Sequence, residues 1–224
     1  MGLQRPKTMV STKTADIVFC IDHSGSMSDC IAGVKATVRD FVTSLEKGVE
    51  GQSPVDWQLG LVGYSQQEIL FLDLTKDADA FKTKLGRNVS GGNEFTPGAI
   101  DFAISKTNWR MGAQRVIVVF TDEGLETGYN IAEGTGEAKF DDLLQKIVDS
   151  NVQIIYYGPN CSYYSNFARC PKAEVNVVSN FSGVNFESLM KRLAVTVSSN
   201  SAAANMKPVS KDLVYDRAGM NIKY

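Results

Sequence analysis

The sequence is short of the features that mark several functional classes. Its 224 residues include a single histidine, His23, and the formal net charge is only −2. A balance this close to zero provides no bulk attraction to nucleic acid or to an anionic membrane. No apolar run approaches the roughly 20 residues that span a bilayer. We therefore expect no nucleic-acid partner and no membrane span.

Targeting signals and zinc motifs are also missing. Residues 1–7 read MGLQRPK and lack the apolar core of a secretory signal, so we expect a cytoplasmic protein unless a signal has been removed. Of the four cysteines, Cys20 and Cys30 are expected in the core. Cys161 and Cys170 flank a short loop and could form a disulfide, belong to a metal cluster or remain a reduced pair. No second cysteine pair or nearby histidine completes a zinc site. Of the three alternatives, we favour the reduced pair.

From residue 14 onward, strand-like and helix-like apolar patterns alternate. This alternation predicts an α/β fold: a three-layer, doubly wound, mostly parallel sheet with helices on both faces. One connection, at residues 65–67, is too short for a crossover helix, so the strand that follows it should be a short antiparallel edge strand. The predicted strands are 15–21, 55–64, 68–74, 115–121, 152–157 and 175–178, and the predicted helices are 29–46, 77–85, one from 96, 137–150 and 185–197.

The two ends of the chain lack these patterns. Residues 1–13 are polar and basic and are expected to be a flexible lead-in to a domain over 14–198. The four residues 198–201, Ser-Ser-Asn-Ser, have the composition of a linker. Two interpretations remain for the tail over 199–224: a disordered end, or a segment that orders when it docks on a partner.

The first apolar strand runs directly into an Asp-x-Ser-x-Ser loop. Asp22, Ser24 and Ser26 alternate along the chain, so a loop of extended backbone can turn all three side chains to one point. Their carboxylate and hydroxyl oxygens are the hard ligands that Mg²⁺ prefers. The alternative is that both serines cap the helix that follows.

Two later segments carry further oxygen donors. Residues 91–99 read GGNEFTPGA and place Thr96 at a predicted helix start, and the apolar strand over 116–120 leads through Thr121 to Asp122. Ligands of open α/β sheets bind outside the carboxyl ends of the strands, where these segments should meet. The alternative for Asp122 is that it only ends its strand.

Together these segments resemble the metal-ion-dependent adhesion site of von Willebrand factor A domains, and the likeness covers roughly residues 14–198. The resemblance implies a cation, Mg²⁺ with Mn²⁺ or Ca²⁺ as alternatives, coordinated by the hydroxyls of Ser24, Ser26 and Thr96. Asp22 and Asp122 would hold it directly or through water. One open position would then take an Asp or Glu of a partner protein, with no catalysis.

The family analogy extends to biological context. The chain looks like the bacterial intracellular type, whose members often work beside ATPases, kinases or phosphatases, so such a system is the expected partner. One departure is Glu123, because family members often have glycine after the third-loop aspartate. His23 should alternate away from the metal, so it is expected either to support the ligands from behind or to pack in the protein, and not to be a ligand.

Two other functions compete with adhesion. A metal-dependent phosphohydrolase of the haloacid dehalogenase type has a similar architecture, but it needs a second aspartate two residues after the first, where this chain has Ser24. The second competitor is a scaffold whose site is unused. The missing second aspartate disfavours the phosphohydrolase, and the intact set of five ligand candidates argues against the unused site.

A partner surface is predicted next to the metal. Residues 161–170 follow the strand over 152–157 and should emerge at the same edge of the sheet as Asp22. Aromatic residues and arginine are enriched in binding hot spots. The alternative is that the aromatic side chains pack down onto the sheet. The predicted partner-binding residues are Tyr163, Tyr164, Phe167 and Arg169.

Overall fold

The centre of the protein is a six-stranded sheet in the order β3-β2-β1-β4-β5-β6. The computed structural model describes residues 13–49, 51–65, 68–88, 96–124, 136–201, 214–215 and 221–222. Within this six-stranded sheet only β3 runs antiparallel to its neighbour, so the predicted mostly parallel sheet with one antiparallel edge strand is confirmed. The strands are β1 (Lys13–Asp22), β2 (Val55–Tyr64), β3 (Ile69–Thr75), β4 (Gln114–Phe120), β5 (Val152–Gly158) and β6 (Glu174–Val177).

Helices cover both faces of this sheet, which confirms the three-layer prediction. One face packs against α1, α2 and α6, and the other against α3, α4 and α5. The helices are α1 (Ser28–Lys47), α2 (Ala78–Leu85), α3 (Thr96–Lys106), α4 (Gly136–Asp149), α5 (Ser162–Ser165) and α6 (Phe186–Ser201), with 3₁₀ turns at Gly25–Met27 and Asn166–Arg169.

The central strand β1 is buried on both faces, as expected for a parallel strand with helices above and below it. Phe19 faces the core under α1 and α6, while Val18 and Cys20 face the core under α3. The two helices on the first face approach closely at Gly33. A Cβ atom there would lie 2.2 Å from Cδ2 of Phe186, so α1 and α6 could not pack at this distance with a larger residue.

The strand order places the topological switch point of the sheet between β1 and β4. The chain continues from β1 to β2 on one side, and later returns to β4 on the other side of β1. At such a switch point the loops after the two strands diverge and leave room for a ligand. Asp22 ends β1, and Thr121 and Asp122 follow β4, so both candidate carboxylates lie at this point.

At the amino ends of the central strands, opposite the candidate site, lies a buried ion pair that the sequence patterns did not predict. Asp16 of β1 is fully buried and accepts hydrogen bonds from the backbone N–H of Arg110 at 2.7 Å and from its Nε at 2.6 Å. Nη1 of Arg110 also donates to Asp56 at 2.8 Å. Lys76 pairs with the same Asp56. The guanidinium therefore satisfies two carboxylates at once.

The linker predicted at residues 198–201 is wrong. Residues 198–201 continue α6 instead of forming a linker, and Ser198 and Ser201 are buried. The hydroxyl of Ser201 donates to the carbonyl of Val197 at 2.7 Å, so a serine inside the helix satisfies its own polar group. Beyond this helix, Val214–Tyr215 (β7) and Asn221–Ile222 (β8) form an antiparallel pair.

The remaining predictions for the two ends fall on residues 1–12 and on most of 202–224, which lie outside the described residues. The domain boundaries at 14 and 198 therefore stay predictions. Among the described helices, none is both long and apolar enough to cross a membrane.

Candidate metal centre

Asp22 is a fully buried carboxylate that receives only neutral donors. The backbone N–H of Ser24 donates to its Oδ1 at 2.7 Å, and the hydroxyl of Thr121 donates to its Oδ2 at 3.0 Å. No arginine, lysine or histidine of the described chain pairs with it. Burial raises the pKa of Asp22 to about 6, and the nearby charge of Asp122 adds to this rise, while the hydrogen bonds from Ser24 and Thr121 oppose it.

The hydroxyls of Ser24 and Ser26 lie 2.9 Å apart beside this carboxylate, at the open side of the loop. Neither serine caps the helix. Ser24 precedes the 3₁₀ turn without a side-chain cap, and the residue at the N-cap of α1 is Met27. The capping alternative therefore does not describe this loop.

Thr96 is the first residue of α3 and is 1% exposed. Its Oγ1 lies 2.7 Å from the phenol oxygen of Tyr64, the last residue of β2. Tyr64 is paired in register with Asp22, and its carbonyl accepts the backbone N–H of His23 at 2.9 Å. The rest of the second predicted loop, residues 91–95, lies outside the described residues.

Asp122 follows β4, and its Oδ1 is buried without a hydrogen-bond partner among the described residues. Its charge acts on Asp22, and both aspartates raise the pKa of the Cys30 thiol beneath them, where burial is the largest cause. The two carboxylates therefore face a common region. Thr121 joins them, because its hydroxyl donates to Asp22 and accepts the backbone N–H of Glu123 at 3.2 Å.

These residues fit a hard divalent cation. Two carboxylates share a desolvated region that contains no basic side chain of the described chain, and one of their oxygens is buried with its bonding capacity unused. Carboxylate and hydroxyl oxygens suit Mg²⁺, Mn²⁺ or Ca²⁺. Within the described ranges, no group of three or more His, Cys, Asp or Glu could hold a metal. A cation here would therefore depend on the serine and threonine hydroxyls.

His23 packs against the sheet, as the sequence suggested. Its side chain is mostly buried, and its Nε2 would lie only 2.6 Å from a Cβ atom at Gly63. Burial lowers the pKa of His23, while a hydrogen bond to the Arg87 backbone opposes that change. The ring thus packs beside β2.

The predicted partner surface at 161–170 needs a correction. Tyr164 and Phe167 are 2% and 0% exposed, and their rings stack on each other over Tyr156 and Phe140. They fill the core under α4 because their apolar area is buried there, so they cannot present a surface to a partner.

The other two residues of this surface remain candidates. Tyr163 is half-buried with its ring edge against Phe140, and Nη1 of Arg169 donates to Asp141 at 3.0 Å. Cys161 and Cys170 are not joined by a disulfide, which agrees with the reduced pair that the sequence favoured.

Two residues of the site were missed by the sequence patterns. Tyr64 and Thr121 each hydrogen-bond a candidate ligand, but both were assigned only to strands. A signal did exist for them. Each lies at the carboxyl end of a strand that neighbours β1, at the level of Asp22.

Comparison with known proteins identifies the fold. The family model of the von Willebrand factor type A domain matches residues 16–202. The chain belongs to this family. Domains of the von Willebrand factor A family commonly mediate protein–protein interactions. No curated protein sequence matches the chain.

Solved structures of low sequence identity share this von Willebrand factor A fold. Proximal thread matrix protein 1 from the mussel byssus, with a zinc-occupied MIDAS motif, is 19% identical with a TM-score of 0.57, over 82% of this chain and 46% of that one. The von Willebrand factor type A protein from Catenulispora acidiphila is 13% identical with a TM-score of 0.61, over 83% and 43%. The SpRpn10 VWA domain is 18% identical with a TM-score of 0.56, over 78% and 93%. The present chain thus spans less than half the length of the first two proteins.

Proposed function

We propose that this domain binds a partner protein through a divalent cation held by Asp22, Ser24, Ser26, Thr96 and Asp122. The observation that carries the proposal is the pair of carboxylates at the β1–β4 switch point. One is fully buried with neutral donors only, and the other has a buried oxygen without a described partner. An uncompensated charge in such a place is costly, and a bound cation would remove that cost.

Mg²⁺ is the proposed cation, with Mn²⁺ and Ca²⁺ as alternatives, because all the candidate ligands are hard oxygens. When bound, the cation supplies a coordination position that a carboxylate from outside can fill. The protein's own residues hold this arrangement in place. The N–H of Ser24 and the hydroxyl of Thr121 fix the two oxygens of Asp22. The zinc-occupied MIDAS motif of the mussel protein supports a cation at such a motif.

The proposed partner presents an Asp or Glu side chain to the cation. Both serine hydroxyls lie on the open side of the loop, with Ser26 exposed, so a side chain from outside can approach there. We further propose that recognition beside the cation involves Tyr163 and Arg169, which are partly exposed. A bacterial cytoplasmic setting, and a partner from a kinase, phosphatase or ATPase system, remain predictions from family analogy.

Partner capture tests the proposal. The wild-type protein should retain the same partner from lysate with Mg²⁺ and lose it with EDTA, and Asp22→Ala should fail under both conditions. Asp101→Asn is the matched control, because Asp101 is an exposed carboxylate paired with Lys146. Retention by a folded Asp22→Ala protein would contradict the proposal.

A phosphatase assay with Mg²⁺ separates adhesion from catalysis. The adhesion function predicts no turnover in the wild-type protein. Turnover that Asp22→Asn abolishes would instead assign the phosphohydrolase function.

A further inference from the structure

Two buried hydroxyls meet where β2 ends and α3 begins, and one of them belongs to the candidate ligand Thr96. The phenol oxygen of Tyr64 lies 2.7 Å from Oγ1 of Thr96, and both side chains are about 1% exposed. Tyr64 also packs in the core cluster that contains Ala99 and Ile100 of α3. We infer that Tyr64 is a positioning residue of this centre, which fixes the hydroxyl of Thr96 so that its oxygen is available to the cation. The inference rests on the proposed function.

The chemistry of a hydroxyl ligand explains why such a partner is needed. A threonine hydroxyl has one proton and two lone pairs, so an oxygen that gives a lone pair to a cation must direct its proton elsewhere. Threonine in a helix also divides its side chain between two rotamers. The phenol oxygen of Tyr64 is within hydrogen-bond distance and can accept that proton. One contact therefore selects both the rotamer of Thr96 and the direction of its proton.

Tyr64 is itself held firmly to the first metal loop. Its backbone pairs with Asp22 in the parallel register of β1 and β2, and its carbonyl accepts the N–H of His23 at 2.9 Å. A single residue therefore connects the strand that carries Asp22 to the helix start that carries Thr96. We expect the spacing of these two ligands to depend on the phenol hydroxyl.

Tyr64→Phe removes this hydroxyl and keeps the ring. Because supporting residues behind metal ligands typically contribute 10–100-fold to affinity, we expect Mg²⁺ binding by calorimetry to weaken about tenfold. Tyr156→Phe is the matched control. Tyr156 is buried in the same sheet, and its hydroxyl donates to the Pro159 carbonyl at 3.1 Å instead of to a candidate ligand. The control should change thermal stability but leave Mg²⁺ affinity unchanged.

A double-mutant cycle with Thr96→Val distinguishes positioning from a general loss of stability. Valine keeps the shape of Thr96 without the hydroxyl, so Tyr64→Phe should cause no further loss of Mg²⁺ affinity in that background. Circular dichroism confirms that each variant is folded.

Three results would count against the inference. Wild-type Mg²⁺ affinity in folded Tyr64→Phe, or an equal loss in the Thr96→Val background, overturns it and leaves the proposed function intact. A wild-type protein that binds none of Mg²⁺, Mn²⁺ or Ca²⁺ overturns the proposed function and this inference together.

Discussion

Two fully buried aspartates of the same strand have different kinds of hydrogen-bond partner. Asp16 and Asp22 both lie on β1 and are both 0% exposed. Asp16, near the amino end, receives two hydrogen bonds from Arg110, one of them from the guanidinium. Asp22, at the carboxyl end, receives the backbone N–H of Ser24 and the hydroxyl of Thr121. The fold compensates the first charge with its own cation and leaves the second to neutral donors.

The difference indicates which buried carboxylate is structural. Arg110 lies between α3 and β4 and donates to Asp16, to Asp56 and to the Ala15 carbonyl. It therefore connects β1 to β2 near their amino ends. Nothing comparable reaches Asp22 from the described part of the chain. Buried charges in proteins are normally paired or bound to metals, and this contrast is the reason why we propose Asp22, and not Asp16, as a metal ligand.

The largest expected effect comes from removing the guanidinium of Arg110, which compensates the charge of Asp16. Arg110→Met should lower the free energy of unfolding by about 3–5 kcal/mol, because it leaves a buried carboxylate uncompensated. Urea denaturation in EDTA measures this change. Arg39→Ala is the control, since Arg39 and its partner Asp79 are both exposed and the substitution should have little effect. A small loss for Arg110→Met would show that Asp16 is not the structural charge described here.

A second prediction concerns pH in metal-free protein. Burial raises the pKa of Asp22 from its ordinary value of 3.8 to about 6, so the folded protein binds this proton more tightly than the unfolded chain does. Stability should therefore fall as pH rises from about 4 to 6, by on the order of 2–3 kcal/mol, and this contribution should level off above 6.

Asp22→Asn tests that prediction, because an amide cannot titrate. The loss between pH 4 and 6 should disappear in the variant, as measured by urea midpoints at each pH in EDTA. Saturating Mg²⁺ should reduce the same loss in the wild-type protein. An equal pH dependence in both metal-free proteins would show that Asp22 does not carry an uncompensated charge.

A third prediction concerns Thr121, which links Asp22 to the loop after β4. Thr121→Val removes the hydroxyl that donates to Asp22 and accepts from the Glu123 N–H. We expect a loss of about 1–2 kcal/mol in the free energy of unfolding and weaker Mg²⁺ binding. Thr121→Ser keeps the hydroxyl and should restore most of both. Equal losses in the two variants would assign the effect to packing.

The smallest effect on stability is expected at Lys76, at the exposed end of the ion-pair network that contains Asp16. Lys76 pairs with Asp56, which also binds Arg110, and its side chain is 57% exposed. Lys76→Ala should change the free energy of unfolding by less than about 1 kcal/mol, because exposed ion pairs contribute little. A loss near that of Arg110→Met would mean that Lys76 and Arg110 together, and not the guanidinium of Arg110 alone, compensate the carboxylates of Asp16 and Asp56.

The sequence predicted the sheet well because its strands are local patterns. The apolar run ending at Asp22 and the one ending at Phe120 are both buried on two faces, which leaves a continuous signal. Asp22 and Asp122 could be proposed as ligands for the same reason, since each lies at the end of such a run. The role of Ser24 and Ser26 was open between capping and ligation, and the backbone at Met27 decided against capping.

The features that the sequence did not predict depend on contacts distant in the chain. Arg110 reaches Asp16 across 94 positions, and Tyr64 reaches Thr96 across 32. Residue type also misled at 161–170. Tyr164 and Phe167 could belong to a hot spot or to a core, and only the packing of α5 against Phe140 places them in the core.

Calorimetric titration with Mg²⁺ is the most direct test of the proposal that Asp22 binds a divalent cation from solution. The wild-type protein and Asp101→Asn should each bind one Mg²⁺ with the same affinity, and Asp22→Asn should show no measurable binding while remaining folded. Equal Mg²⁺ binding by wild type and folded Asp22→Asn would contradict the account.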